Sequence, residues 1–154
     1  LYKPITRRVK MGLDMYLNSR IYHSGITYDK NKKMRVRKPE IVEGFKKKAT
    51  EVEIAYWRKH PNLHGYIVQA FNEGKDDCSP IELTPKDLNQ IADAIEKNEL
   101  PKTEGFFFGS SEHHEEGKKE NIKIFRDASA WLDKKLVEGI QDGDWFSIHY
   151  EASW

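Results

Sequence analysis

The chain has a single cysteine, Cys78, among its 154 residues, and it contains no long apolar run. One cysteine excludes an internal disulfide bond and is typical of a protein that folds in a reducing cytoplasm. A helix that crosses a bilayer needs about 20 apolar residues, so we expect no membrane segment. The first ten residues, LYKPITRRVK, are basic, but no apolar signal-peptide core follows them. The sequence therefore predicts a cytoplasmic protein.

Net charge is also scarce, since 26 Lys and Arg residues nearly balance 25 Asp and Glu residues. No overall field therefore attracts nucleic acid. The charge is uneven, however, because residues 30–48 (KNKKMRVRKPEIVEGFKKK) are strongly basic. This run predicts a solvated loop, with contact to an anionic ligand or to nucleic acid as the alternative. Residues 24–39 predict either a hairpin, in which RIYH (20–23) pairs with KMRVRK (33–38), or an open loop.

Aromatic residues, in contrast, are abundant, with 4 Trp, 7 Tyr and 7 Phe. They indicate a packed interior or a stacking surface, and the length fits one domain. Met11 is a plausible natural start. We therefore expect a single domain over residues 11–154, in which residues 24–48 form a basic arm or loop. Residues 1–10 are expected to be a leader or an added extension without fixed structure.

Four segments have the features of β-strands. Apolar and polar residues alternate over 11–23 and over 144–154, which is the pattern of strands buried on one face. Residues 81–83 form a short apolar segment after a turn, and GFFFGS (105–110) reads as a buried strand. The first and last of these strands are expected to pair antiparallel at the centre of a sheet.

Helical spacing of apolar residues appears between these strands. Pro61 disfavours the helical conformation of the residue before it, so a break or kink is expected near His60. Thr84 and Pro85 are typical of a helix N-cap and first helical position. The first predicted helix spans residues 51–60 and resumes over 62–71, and the other two span 84 to about 98–100 and 120–140. The order of elements predicts an α+β fold: a small mixed, largely antiparallel sheet with about three helices packed mainly on one face.

The segment GFFFGSSEHHEE (105–116) suggests two kinds of site. His113 and His114 are ligand types for zinc, but adjacent side chains diverge, and neither a His-x-x-x-His pair nor paired cysteines are present. An exposed polar loop is therefore expected, and no metal site. The turn at 109–111 can present backbone N–H groups to an anion, with a simple turn and helix cap as the alternative.

The segment EIAYWRKHPNLH (53–64) concentrates rings, cations and amides. On a helix, Arg58 and Asn62 would share one face, while Trp57 and His64 would lie on another. Such groups can stack on a base and hold phosphates. The alternative is an amphipathic helix whose tryptophan fills the core and whose charges face water.

Two further arrangements suggest acid–base or nucleophilic chemistry. A nucleophilic Cys78, preceded by Asp77, would need a base such as His64; a structural thiol beside capping aspartates is the alternative.

Asp14 lies at the centre of the polar face of the first strand. Across a terminal strand pair it can meet His149 or Glu151, either as a general acid–base pair or as a simple charge pair. For an enzyme, the candidate catalytic residues are His64, Asp14, Asp77 and His149.

Several motifs together resemble a widespread family of small phage and prophage proteins. They are MGLDMYL (11–17), YWRK…N.H (56–64), DDC (76–78), FFFGS.E (106–112) and the terminal SW (153–154). The similarity spans nearly all of residues 11–154. It implies a phage protein in the cytoplasm of an infected bacterium, and it brings no assigned catalytic chemistry.

The leading hypothesis is a binding protein for a small anionic ligand, such as a cyclic nucleotide, that sequesters an immune signal of the host. Trp57 or Tyr16 would stack on the base, while Arg58 and Lys59 would hold phosphate. Asn62 and Asp14 would contact polar edges of the ligand. The predicted ligand-binding residues are Asp14, Tyr16, Tyr56, Trp57, Arg58, Lys59, Asn62, His64, Asp77, Gly109, Ser110 and Ser111. No cofactor is predicted, and a homo-oligomer is a further expectation.

Two rival hypotheses follow from the same residues. The first is a phosphodiesterase-like hydrolase, in which His64 or His149 is the base and Asp14 or Asp77 orients it. The second is an inhibitor that binds a host defence or CRISPR protein, with the basic segment 30–48 holding an acidic partner.

Overall fold

The computed structural model describes residues 12–104, 117–139 and 143–154. The predicted strand at 105–110 and the predicted turn at 109–111 lie outside these residues, as does the His113–His114 pair. The described strands are β1 (Asp14–His23), β2 (Ile26–Tyr28), β3 (Met34–Val36), β4 (Ile41–Val42), β5 (Phe45–Lys46), β6 (Ala49–Arg58), β7 (Ile81–Leu83) and β8 (Asp144–Ser153). The described helices are α1 (Pro61–Phe71), α2 (Pro85–Glu96) and α3 (Lys118–Glu138).

The central sheet confirms the predicted α+β fold. Its strand order is β6-β1-β8-β7, and each neighbouring pair is antiparallel. The first and last strands are paired at its centre, as the sequence predicts, with Asp14 opposite Ser153 and His23 opposite Asp144. None of the described helices has both the length and the apolar character needed to cross a membrane.

The alternation in β1 gives the sheet two different faces. Met15 and Leu17 are fully buried and contribute to one core together with Tyr150 of β8. The apolar sides of all three described helices belong to the same core. Odd-numbered residues of β1 therefore face the helices, and even-numbered residues lie on the opposite side of the sheet, which we call the open face. The open face carries Asp14, Tyr16, Asn18, Arg20, Tyr22, Glu51, Glu53, Tyr56, Arg58, Glu82, Trp145, His149 and Glu151.

The start of α2 is the one that the sequence predicts. The backbone N–H of Asp87 donates to Thr84 Oγ1 over 3.1 Å, and the N–H of Thr84 donates to the Asp87 carboxylate over 2.9 Å. This capping box satisfies two backbone donors that have no partner within the helix. The helix ends at Glu96, slightly before the predicted end, and Asn98 adopts a left-handed conformation with φ +55°.

The prediction of a helix over residues 51–60 is wrong. Ala49–Arg58 form β6, which pairs with β1, and its sequence is rich in the β-branched and aromatic residues that favour strands. The register of this pair shifts between Leu17 and Asn18, where Ile54 is the extra residue of a β-bulge. A bulge breaks the alternation of apolar and polar residues, so the apolar positions on either side of it imitate helical spacing.

The arm, residues 24–48, consists of two short hairpins, β2–β3 and β4–β5. A hairpin was one of the two predicted outcomes, but its first strand is Ile26–Tyr28 and not residues 20–23. Residues 20–23 continue β1, because β8 pairs with them on one side and β6 pairs with 20–22 on the other. The arm therefore begins where the central sheet ends.

Candidate functional site

The structure separates the aromatic and polar residues of segment 53–64 that were predicted to form one ligand site on a helix. Trp57 lies on β6 and faces the core, where its ring stacks on Phe125 at 5.5 Å between centroids. Its indole N–H donates to Asn121 Oδ1 over 2.8 Å. Arg58 follows on the opposite side of the strand, beside Asp14. The half-buried Trp57 ring therefore has a structural role, and it cannot form one ligand site with Arg58.

Two more of the predicted ligand residues hold the structure together. Asn62 Oδ1 accepts a hydrogen bond of 2.9 Å from the backbone N–H of Thr103, which fixes the chain after α2 against the start of α1. Lys59 has a left-handed backbone with φ +54°, and its N–H donates to the carbonyl of Leu13. These contacts position the connection between β6 and α1.

His64 belongs to a buried hydrogen-bonded relay. Only 2% of it is exposed, and its Nδ1 lies 2.6 Å from the hydroxyl of Tyr150, while its Nε2 lies 2.9 Å from Asp76 Oδ1. A neutral imidazole with its proton on Nε2 satisfies both partners, since Tyr150 then donates and Asp76 accepts. The ring of Trp154 packs edge-on against the His64 ring, with 5.7 Å between the two ring centroids. His64 therefore lines a pocket of about 10 Å³ beside Asp77 and Cys78, which is too small to hold a nucleotide.

Because Tyr150 is buried in this relay, we expect the free energy of unfolding to fall at high pH. Burial, and to a lesser extent the charge of Asp76, raise the pKa of Tyr150 well above the ordinary value of 10.0. Above about pH 10 the unfolded chain therefore releases this proton before the folded protein does, which favours unfolding by up to about 1.4 kcal/mol per pH unit. Urea unfolding should show this slope in the native protein between about pH 10 and pH 11. Tyr150→Phe should reduce it, because the other titrating groups are common to both proteins; equal slopes would contradict the effect.

Asp14, Tyr16 and Tyr56 do come together, but on the open face. The Tyr56 hydroxyl donates to Asp14 Oδ1 over 2.5 Å, and the two tyrosine rings lie 5.2 Å apart. This hydrogen bond, together with partial burial and the charge of Asp14, raises the pKa of Tyr56. The open face carries five carboxylates and two guanidinium groups. It is therefore unsuited to an anionic ligand.

The predicted acid–base pairs are not assembled. His149 lies opposite Asn18, and Glu151 lies opposite Tyr16, so neither is the direct partner of Asp14. The register places His149 two residue pairs beyond Glu151, where its Nε2 lies 2.9 Å from the hydroxyl of Ser147.

The DDC segment forms a turn. The Asp77 carboxylate accepts hydrogen bonds from the hydroxyl and the backbone N–H of Ser79, and these bonds lower its pKa. Cys78 is exposed in a left-handed conformation, with φ +60°. Asp76, which the sequence analysis did not assign to the site, is the residue of this segment that bonds to His64. The remaining predicted ligand residues, Gly109, Ser110 and Ser111, lie outside the described residues.

A cleft of about 470 Å³ lies where the two hairpins of the arm meet the end of the central sheet. We call it the arm cleft. Four cationic residues from two parts of the arm line it. Arg37 and Lys38 follow β3, while Lys46 ends β5 and Lys47 follows it. Two carboxylates, Glu40 and Asp144, also line it. With histidine neutral, the lining has a net charge of +2.

A second relay lies at the sheet end of the arm cleft. His23 Nδ1 is 2.8 Å from Asp144 Oδ1, and its Nε2 is 2.8 Å from the hydroxyl of Thr50. His23 and Asp144 line the cleft, and about 29% of the His23 side chain and 20% of the Asp144 side chain are exposed. Unlike His64, His23 therefore has access to solvent while its ring remains oriented by a carboxylate.

Short contacts fix the arm to the sheet beside this relay. The Ser24 hydroxyl donates to the Gly143 carbonyl over 2.6 Å, which joins the arm to the residue before β8, and within the arm the Arg37 N–H donates to the Gly25 carbonyl over 2.8 Å. A Cβ atom on Gly143 would lie 2.5 Å from the Ile26 carbonyl oxygen, and its φ of +75° also favours glycine. The arm cleft thus has a fixed wall.

The residues of the arm cleft were not individually predicted. The basic run 30–48 was the one signal for them, because it was interpreted with an anionic ligand as an alternative to a solvated loop. No local pattern predicted that His23 and Asp144 would meet, since they are 121 residues apart in the sequence. Within the described part of the chain, no group of three or more His, Cys, Asp or Glu residues is arranged to hold a metal ion.

Comparison of the chain with protein-family models, with curated proteins and with solved structures gives no match. The resemblance to phage proteins therefore depends on the sequence motifs alone. Among the residues that the fold brings together, those of the arm cleft form a concave surface on which cations outnumber carboxylates.

Proposed function

We propose that the protein binds a small anionic, nucleotide-like ligand, and that the arm cleft holds it. The observation that carries this proposal is a cleft of about 470 Å³ lined by four cationic side chains. Its volume lies within the range of about 300–1,000 Å³ that is usual for small-molecule sites. The proposed ligand class is the one that the sequence predicts, but the proposed site is the arm cleft and not the segment 53–64.

Two of the four cationic side chains of the cleft form ion pairs. Lys47 Nζ lies 3.2 Å from the Glu40 carboxylate, and an Arg37 guanidinium nitrogen lies 3.9 Å from Asp144. Within the described residues, Lys38 and Lys46 form no ion pair. These two ammonium groups are therefore the ones whose charge a phosphate would neutralise at least cost to existing contacts.

The remaining lining suits the apolar part of such a ligand. Ile26, Val36 and Pro39 contribute apolar surface beside the cations. The Arg37 guanidinium, with about 59% of its side chain exposed, can form a bidentate contact with a phosphate or stack on a base. Apolar walls with a few polar groups are the usual composition of a nucleotide-sized site.

The biological role that we propose is the sequestration of a host immune signalling nucleotide during phage infection. It is supported by the ordered motifs shared with small phage proteins and by the cationic arm cleft.

Binding should be lost when the two lysines without ion pairs are neutralised. In calorimetry with a panel of cyclic and linear nucleotides, the native protein should bind at least one of them. The variant Lys38→Gln/Lys46→Gln should bind it about 100-fold more weakly, since each charge-assisted contact contributes about 1.5 kcal/mol or more.

The matched control is Lys30→Gln/Lys33→Gln, which removes the same charge from the same arm at residues that do not line the cleft. Its affinity should stay within about twofold of the native value. The proposal fails if the native protein binds none of the nucleotides, or if both variants lose affinity equally.

The second candidate function is hydrolysis of the same ligand, and the Asp144–His23–Thr50 relay favours it. With Asp144 bonded to Nδ1, the basic nitrogen of His23 is Nε2, which lies 2.8 Å from the Thr50 hydroxyl. Nε2 would accept a proton from this hydroxyl, or from a water that takes its place, as the attacking oxygen bonds to phosphorus and the leaving oxygen departs. His23 replaces His64 and His149 in this role, because it lines the arm cleft. Incubation with the bound nucleotide followed by chromatography separates the two functions: intact ligand indicates sequestration, and products that disappear in His23→Gln indicate hydrolysis.

A further inference from the structure

We propose that the protein binds a second copy of itself, with the arm of one copy docked on the open face of the other. The open face carries a net charge of −3, from five carboxylates and two guanidinium groups. The arm carries nine Lys or Arg residues and three Asp or Glu residues, a net charge of +6. One chain therefore contains two surfaces of opposite charge.

The open face also exposes three large aromatic side chains to solvent. Tyr22 and Trp145 lie opposite each other in the β1–β8 pair, and they are 49% and 56% exposed. Tyr56 is 46% exposed beside Tyr16. Aromatic rings surrounded by charged groups are typical of protein interfaces.

The arm has a matching apolar surface. Ile26 pairs with Val36, and Tyr28 pairs with Met34, so these four side chains project from the same side of the first hairpin. All four are exposed, with Val36 the most exposed at 79%, and Phe45 of the second hairpin is 77% exposed. A two-stranded hairpin is marginally stable alone in water, and a contiguous apolar patch of this kind marks an interaction site.

A second copy is the occupant that fits both surfaces. Each surface has an apolar or aromatic centre with charges around it, and the signs of those charges are opposite. Because every chain carries one arm and one open face, a twofold arrangement uses both surfaces twice and leaves neither exposed. Within a single chain both surfaces remain exposed, so the arm does not satisfy its own open face.

Charge exchange between the two surfaces tests this contact. In sedimentation equilibrium the full chain should form a dimer at about 50 mM NaCl, and the dissociation constant should rise at least about tenfold at about 500 mM NaCl, because salt screens the attraction. Glu53→Lys/Glu82→Lys changes the net charge of the open face from −3 to +1 and should give monomers, while Lys30→Glu/Lys33→Glu lowers the net charge of the arm from +6 to +2 and should raise the dissociation constant. An equimolar mixture of the two variants should recover a heterodimer, since one contact of the pair then keeps opposite charges.

Three results would overturn the proposal. The first is a protein that stays monomeric at every concentration, whether or not its arm binds an unrelated acidic protein. The second is a dimer that neither variant weakens, and the third is a mixture that stays monomeric. Circular dichroism of each variant checks that it is folded. The altered residues do not line the arm cleft, but Ile26 and Val36 belong to both surfaces. Calorimetry with nucleotides is therefore done on the monomeric variant, where it reports on ligand binding alone.

Discussion

Replacement of His64 by alanine is expected to lower the free energy of unfolding by about 3 kcal/mol. The imidazole fills a space between Tyr150, Asp76 and Trp154. Its removal leaves a cavity and also leaves the hydroxyl of Tyr150, a residue that is 1% exposed, without its hydrogen-bond partner. Both effects act in the same direction. Urea unfolding monitored by tryptophan fluorescence at neutral pH measures the change.

His149→Ala is the matched control, because it removes a half-buried imidazole from the open face. It should cost less than about 0.5 kcal/mol, as substitutions outside the core usually do. Tyr150→Phe should fall between the two, near 1–2 kcal/mol, since it removes one buried hydrogen bond and keeps the ring. If His64→Ala were no more destabilising than His149→Ala, the buried relay would have no structural role.

Gly65→Ala is expected to destabilise the protein by about 2 kcal/mol, although alanine normally stabilises a helix by about 1 kcal/mol relative to glycine. Gly65 lies in α1, and a Cβ atom there would be 2.2 Å from Thr103 Oγ1 and 3.0 Å from Thr103 Cβ. Thr103 cannot easily move away, because its backbone N–H is bonded to Asn62. Thermal and urea unfolding of the variant give the sign directly.

The partner substitution identifies the cause of this effect. In a Thr103→Ala background the 2.2 Å contact is absent, and the remaining Cβ contact of 3.0 Å requires a small shift. Gly65→Ala should then be close to neutral, so the double-mutant cycle should show a coupling of about 1–2 kcal/mol. A stabilising Gly65→Ala in the native background would contradict the close approach of α1 to Thr103.

The elements that the sequence predicts correctly are those whose pattern is local. Alternation over β1 and β8 survives in the structure because one face of each strand is buried along its length. Thr84 and Pro85 predict the start of α2 because capping depends on residues within one turn. Pairing of the terminal strands follows from their shared pattern and the order of elements.

β6 illustrates what a local pattern cannot give. Its bulge at Ile54 depends on pairing with β1, a strand more than 30 residues away in sequence. The pairing decides which side chains face the core, so Trp57 faces inward and Arg58 outward. A periodicity that includes an extra residue is compatible with either a helix or a bulged strand.

The candidate site depends even more on distant contacts. Lys38 follows the first hairpin and Lys46 lies in the second, and His23 and Asp144 meet because β1 and β8 pair. The basic composition of the arm was visible in the sequence, but its division into two hairpins around a cleft was not. The sequence could therefore predict a basic segment and not the residues that surround the cleft.

The position of β8 determines when this chain can fold during synthesis. Among the described residues, β7 pairs with β8 alone in the central sheet, and β1 has β8 on one of its two sides. Until residues 144–153 leave the ribosome, β1 and β6 form a two-stranded pair and β7 has no neighbour in the sheet. Pairs of that size are marginally stable, and exposed strand edges are prone to aggregation. The described sheet is therefore expected to form, and to become resistant to proteases, once β8 has left the ribosome.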